Sequence, residues 1–127
     1  MIKREASATI RFRHYLRAHP FDRTTWYEVK QTRIDSISFS AVEEHQLDWL
    51  LASKHGHTNY KIPDDSRGVK PVDGIFTKES DAVIVIKYPK CFCIIDVDDF
   101  IEIKKNSFRK SLTEEKARGI SQKVVDL

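Results

Sequence analysis

Residues 24–32 read Thr24-Thr25-Trp26-Tyr27-Glu28-Val29-Lys30-Gln31-Thr32. Aromatic and β-branched side chains dominate the segment, which predicts a strand. Strand alternation sends Trp26, Glu28 and Lys30 to one face and Tyr27, Val29 and Gln31 to the other. The first face therefore carries a carboxylate and an ammonium about 7 Å apart, pointing the same way. Such an E-x-K pair suits phosphodiester hydrolysis. The acid can hold a divalent cation, and the lysine can position a water or stabilise charge building on phosphate. The same spacing also describes an ordinary ion pair on an exposed strand, which contributes little.

Upstream, residues 4 to 18 place Ala8, Phe12, Tyr15 and Leu16 at helical spacing, with Arg11, Arg13, His14 and Arg17 on other faces, and Pro20 ends the segment. Downstream, Ser40 followed three residues on by Glu43 predicts a capping box. Val42, Gln46, Trp49, Leu50 and Ser53 then form one helical face, and Gly56 is a stop. Gln46 is the odd member, because a buried amide without hydrogen-bond partners costs on the order of 1–3 kcal/mol. Either an active-site group or a backbone group can supply those partners. Residues 57–71 read as a polar, turn-rich connection. A short strand over Val72–Thr77 follows, then the apolar run Ala82–Tyr88, typical of a central buried strand, then Cys91–Val97. Asp98 to Ile103 turns into a short helix or loop, and Ser111-Leu112-Thr113-Glu114 caps a last helix to about residue 122. The order α-β-α-β-β-β-α predicts one α/β (α+β) domain over 1–127, a central mixed sheet flanked by helices.

Composition narrows the class. The chain has 127 residues, 40% hydrophobic and 32% charged, with a net charge of +3. No apolar run approaches the ~18 residues of a membrane span, and the first residues carry no apolar signal core. Cys91 and Cys93, two apart, read as small buried apolar residues of a reduced protein. The expectation is a cytoplasmic domain. The charge is uneven: residues 1–23 and 104–127 are each +4, and the stretch between is acidic. Basic ends suit a polyanion such as DNA and an acidic middle suits a divalent cation. Solvated faces account for the same runs without a partner.

Lys70-Pro71-Val72-Asp73-Gly74-Ile75-Phe76 adds a second acid at the start of a short strand. Asp73 is a candidate metal ligand, although an aspartate before glycine is also ordinary turn chemistry. Taken together, the E-x-K strand, the segment Phe39-Ser40 to His45-Gln46 and the apolar strands after it resemble the core of RecU-type Holliday junction resolvases, in the PD-(D/E)xK nuclease superfamily. The resemblance covers roughly residues 24 to 100.

The resemblance implies a restriction-endonuclease-like core and a metal-dependent, structure-selective endonuclease acting on branched DNA in recombination and repair, often as a homodimer. Mg²⁺ would be the cofactor, with Mn²⁺ as a substitute. Glu28 would be the metal-binding acid, with the carbonyl of Val29, and Lys30 the lysine of the motif. Gln46 would be the helix glutamine supporting the site, and Glu5 an accessory acid. One feature departs from the family: its first metal-binding Asp precedes the E-x-K strand. Here the nearby upstream acid is Asp22, six residues before Glu28 and about 20 Å away along one strand. We therefore expect a relocated strand, with Asp73 joining Glu28 from 45 residues downstream. An alternative makes Lys87 the lysine, but its acid slot is then Val85, which binds no metal. Lys3, Arg4, Arg11, Arg13, Arg17, Lys104, Lys105, Arg109 and Lys110 would contact phosphates. A catalytically silent DNA-binding protein of the same fold is the competing expectation.

Overall fold

The computed structural model describes residues 4–64 and 68–127, with the side chains of 4–6 outside the described part. Helix α1 (Arg4–Ala18) leads into strand β1 (Thr25–Gln31). Strand β2 (Ser36–Ser38) and a 3-10 turn (Phe39–Ala41) precede helix α2 (Glu44–His55). Strands β3 (His57–Lys61) and β4 (Gly74–Lys78) form a hairpin, followed by β5 (Asp81–Tyr88) and β6 (Cys91–Asp96). Helix α3 (Val97–Asn106), strand β7 (Ser111–Thr113), helix α4 (Glu114–Ile120) and strand β8 (Lys123–Asp126) complete the chain.

The central sheet has four strands in the order β1-β5-β6-β8, with β1 and β5 parallel and the other pairs antiparallel. The parallel pair forces a crossover, and α2 with the β3–β4 hairpin supplies it. The predicted mixed sheet flanked by helices is therefore present. Strand β5 is buried on both faces, as its unbroken apolar run requires. Ala82, Ile84, Ile86 and Tyr88 pack under α2, α3 and α4, joined by Leu50, Phe100 and Ala117. Val83 and Val85 face the other way and pack with Val29, Phe92 and the α1 residues Ala8 and Phe12. Phe12 sits at the centre of that second layer, with ring centroids 5.3 Å from Tyr27 and 5.4 Å from Phe92.

Several details differ from expectation. His57–Lys61 is a strand rather than a turn; all but Thr58 of its side chains are exposed, so no apolar alternation announced it. The 97–106 segment is a full helix, whose N-cap Asp96 side chain accepts from Asp98 N–H at 3.1 Å. Within the expected capping stretch Thr113 is the residue that caps α4, its hydroxyl accepting from Lys116 N–H at 3.3 Å, and the helix ends at Ile120 rather than near residue 122. The start of α3 is held against the end of α2 by Lys54, whose Nζ lies 2.8 Å from Asp96 and 2.6 Å from Asp98. His55 adds a contact to Asp98 at 2.8 Å. Burial pulls the Lys54 pKa down, but hydrogen bonds to both aspartates outweigh it and hold the pKa above its usual value. Cys91 and Cys93 are buried free thiols, as read, and burial pushes the Cys93 thiol up to about 12. No helix among the described residues is long and apolar enough to cross a membrane.

Phe12 is fully buried among four other aromatic rings. Phe12→Ala is expected to cost about 3–5 kcal/mol. In urea unfolding the midpoint should fall at unchanged slope.

Candidate active site

Strand β1 is the edge of the central sheet, and its backbone is divided by parity. Thr24 C=O accepts from Asp81 N–H at 3.1 Å, and Thr32 N–H donates to Lys87 C=O at 3.0 Å. In a strand the N–H and C=O of one residue point to the same edge, and successive residues alternate. The even-numbered residues of β1 thus carry the ladder to β5. The carbonyl of Val29 points to the opposite edge, away from β5.

The side chains divide likewise. Trp26 packs with the α2 layer, whereas Val29 packs with α1. Glu28 and Lys30 share the Trp26 face. Lys30 is only 7% exposed, and its Nζ lies 3.4 Å from Glu28 Oε1. The E-x-K pair therefore joins a buried ammonium to a half-buried carboxylate. Above it a groove of about 390 Å³ is lined by Trp26, Tyr27, Glu28, His45, Gln46, Trp49 and Leu50. The fold thus brings Glu28 and Gln46 to one place.

The local reason for Gln46 differs from expectation. The capping box of α2 is formed by Glu43 and Gln46, not by Ser40 and Glu43. Gln46 Oε1 accepts from Glu43 N–H at 3.1 Å. Ser40 belongs instead to the 3-10 turn, where its N–H donates to Ser38 Oγ at 3.3 Å. Gln46 is half-buried rather than buried, and Leu47, Leu50 and Ser53 form the buried face of α2. Its cap bond accounts for the carbonyl and leaves the amide NH₂ for the groove. His45 also lines the groove, with Nδ1 3.1 Å from Glu43. Its place in the first turn of α2, one residue before Gln46, is the sequence signal that points to it.

Asp73 stands apart from these residues. Its side chain is 99% exposed and lies 3.5 Å from Lys70, and it does not line the groove. Strand β4 takes its backbone partners from β3 rather than from β1. The hairpin still reaches β1 through side chains: Trp26 Nε1 donates to Thr77 Oγ1 at 3.0 Å. Gly74, after Asp73, is required by close approach, since a Cβ there would lie 2.8 Å from the Tyr60 carbonyl oxygen. Asp22 lines a different cavity with His19, Pro20 and Asp81, away from Glu28. Lys87 is 7% exposed but lies on the α1 face, opposite to Lys30. Burial, with Arg11 adding to it, lowers the Lys87 pKa.

Of the expected phosphate contacts, Arg11, Arg13 and Arg17 are exposed on α1, on the sheet face away from the groove. Lys104 pairs with Glu44 at 2.9 Å, beside the start of α2. Lys105, Arg109 and Lys110 are exposed. The basic ends thus flank opposite faces of the sheet. Lys3 lies outside the described residues, as do the side chains of Arg4 and Glu5. Among the described residues no group of three or more His, Cys, Asp or Glu is placed to hold a metal ion; the expected pair of carboxylates falls below that number. The chain matches no family model, no curated protein and no solved structure.

Gln46→Ala removes the cap bond and is expected to cost about 1 kcal/mol. Gln46→Glu keeps an acceptor oxygen for the Glu43 N–H and should retain that stability, read by thermal unfolding. Lys87 makes a second prediction. Its native pKa lies below its unfolded value of 10.5, so the unfolded state binds more protons in the window between them. The fold is free of this penalty above 10.5 and loses stability as pH falls toward the lowered value. Lys87→Met should give a higher urea midpoint at neutral pH and a flatter alkaline profile.

Proposed function

We propose that this chain is a metal-dependent, structure-selective DNA endonuclease of restriction-endonuclease-like fold, acting on branched DNA as a Holliday junction resolvase does. One observation carries the reading. A buried lysine is held 3.4 Å from a strand carboxylate, and that carboxylate opens into a groove shared with Gln46. The donor set fits a hard divalent cation: the Glu28 carboxylate and the Val29 carbonyl both offer oxygen. These two would hold Mg²⁺; the exposed Asp73, which pairs with Lys70 and does not line the groove, is not placed beside them. When bound, the ion would supply a water of lowered pKa and positive charge for the phosphate. Lys30 would orient that water and donate to the non-bridging oxygen as charge develops. Gln46, anchored through its carbonyl, would offer its NH₂ to the same region. Lys104 and Lys105 at the end of α3, with Arg109 and Lys110 after it, would hold backbone phosphates without reading sequence, while the α1 arginines lie on the opposite face of the sheet. A symmetric four-way junction calls for two copies of the chain.

The test is cleavage of a labelled four-way junction with Mg²⁺, beside linear duplex and flap DNA. Wild type should cut the junction. Glu28→Ala and Lys30→Ala should each lower the rate by at least ~100-fold while remaining folded by circular dichroism. Undiminished cleavage by Glu28→Ala sinks the reading. The full exposure of Asp73 favours a second reading, a catalytically silent DNA-binding protein. It predicts salt-sensitive binding with no cleavage at any Mg²⁺ concentration.

A further inference from the structure

The groove beside Glu28 is walled by aromatic rings to a degree that phosphodiester hydrolysis does not require. The chain has two tryptophans, and both line it. The Trp26 and Trp49 centroids lie 5.8 Å apart at 70°. Tyr60, from the β3–β4 hairpin, lies 6.2 Å from each of them. Trp26 is fixed by its bond to Thr77, whose hydroxyl is in turn 2.7 Å from that of buried Thr58. Trp49 and Tyr60 each keep 40% of their surface open. The result is an anchored Trp26 ring with two half-open rings in edge-to-face contact with it, Trp49 lining the groove and Tyr60 adjoining it through both tryptophans.

The polar groups at this groove are edge-type hydrogen-bonding groups rather than unmatched charges. Gln46 presents its amide and His45 its imidazole. Glu28, the acid that lines the groove, has a basic partner in Lys30 at 3.4 Å, and Glu43 and Glu44 at the start of α2 lie 3.1 Å from His45 and 2.9 Å from Lys104. A phosphate-bearing ligand therefore does not meet an unopposed negative wall.

We propose that this groove receives a single unstacked nucleobase of the DNA strand, adjacent to the phosphate addressed by Glu28 and Lys30. A flat π-system with hydrogen-bonding edges matches aromatic walls and an amide better than an aliphatic group does. The inference rests on the nuclease reading and deepens it: the substrate is DNA in which a nucleotide has left the stack, as at a branch point or a bulge. A continuous duplex would have to unstack a base at a cost of a few kcal/mol, which turns the pocket into a source of structure selectivity.

The experiment uses the full chain without divalent cation, so that binding is read apart from cutting. Three duplexes are compared: one with a single unpaired thymidine, the same duplex with an abasic analogue at that nucleotide, and a perfect duplex. Tryptophan fluorescence should be quenched by the first and not by the other two. Trp49→Ala should weaken binding of the thymidine-bearing duplex by about 10- to 100-fold and leave abasic binding unchanged. Tyr60→Ala, on a different element, should act in the same direction. Equal affinity for base-bearing and abasic DNA, with no quenching, overturns the proposal. So does quenching by an aromatic peptide with no response to any DNA, which assigns the groove to a protein side chain. Cleavage of the junction with Mg²⁺ is measured in parallel. Quenching without cleavage removes the nuclease and keeps the base pocket; cleavage without base discrimination does the reverse.

Discussion

The parallel pairing of β1 with β5 is the constraint on which the rest of the molecule depends. It fixes which backbone groups of β1 are used and which side chains meet which layer. Because the even-numbered residues carry the ladder, the Val29 carbonyl is turned to the open edge. Because side chains alternate, Glu28 and Lys30 face the α2 layer while Val29 anchors α1. A one-residue slip would exchange these roles, burying the acid under Phe12 and turning the valine to the groove. Two apolar clusters on opposite faces oppose that slip, so the geometry of the motif follows from core packing rather than from the motif itself.

Much of this was legible in the sequence, for physical reasons. Strand β1 and strand β5 announce themselves because their side chains are selected by burial, and α1 because Phe12 and Ala8 recur at helical spacing. The β3 strand was not legible, since four of its five side chains are exposed and its partner β4 is exposed except at Thr77. Such a hairpin is held by its own backbone ladder, by the hydroxyl contact of Thr58 with Thr77 and by the bond from Trp26 to Thr77. The start of α2 was misread by three residues because two overlapping capping patterns occur there, Ser40 with Glu43 and Glu43 with Gln46. The 3-10 turn over Phe39–Ala41, with Phe39 buried, takes up the first and leaves the second to begin the helix.

The position of Gln46 shows how one side chain can serve two ends. Its carbonyl closes the first turn of α2, a role that stabilises any helix of this kind. The same bond fixes the amide's orientation, so the NH₂ is presented to the groove without loss of further side-chain freedom. A glutamine at this place therefore says little about chemistry by itself. It gains meaning from Glu28 lying across the same groove.

Lys30 and Lys87 sharpen the same point. Both are 7% exposed, on neighbouring strands, and both carry an ammonium into a region that folding alone would fill with an apolar side chain. Hydrophobic replacements of buried ion pairs are often neutral or stabilising, so burial of a lysine is no gain to the fold. At Lys87 the leading influences are burial and the like charge of Arg11, which together only disfavour the charged form. At Lys30 a carboxylate lies 3.4 Å away and a groove opens beside that carboxylate. A buried lysine thus marks a candidate site only where an acid and access for a ligand accompany it. Departures from what folding would choose are expected where function is held, and by that criterion the α2 face of β1 qualifies while the α1 face does not.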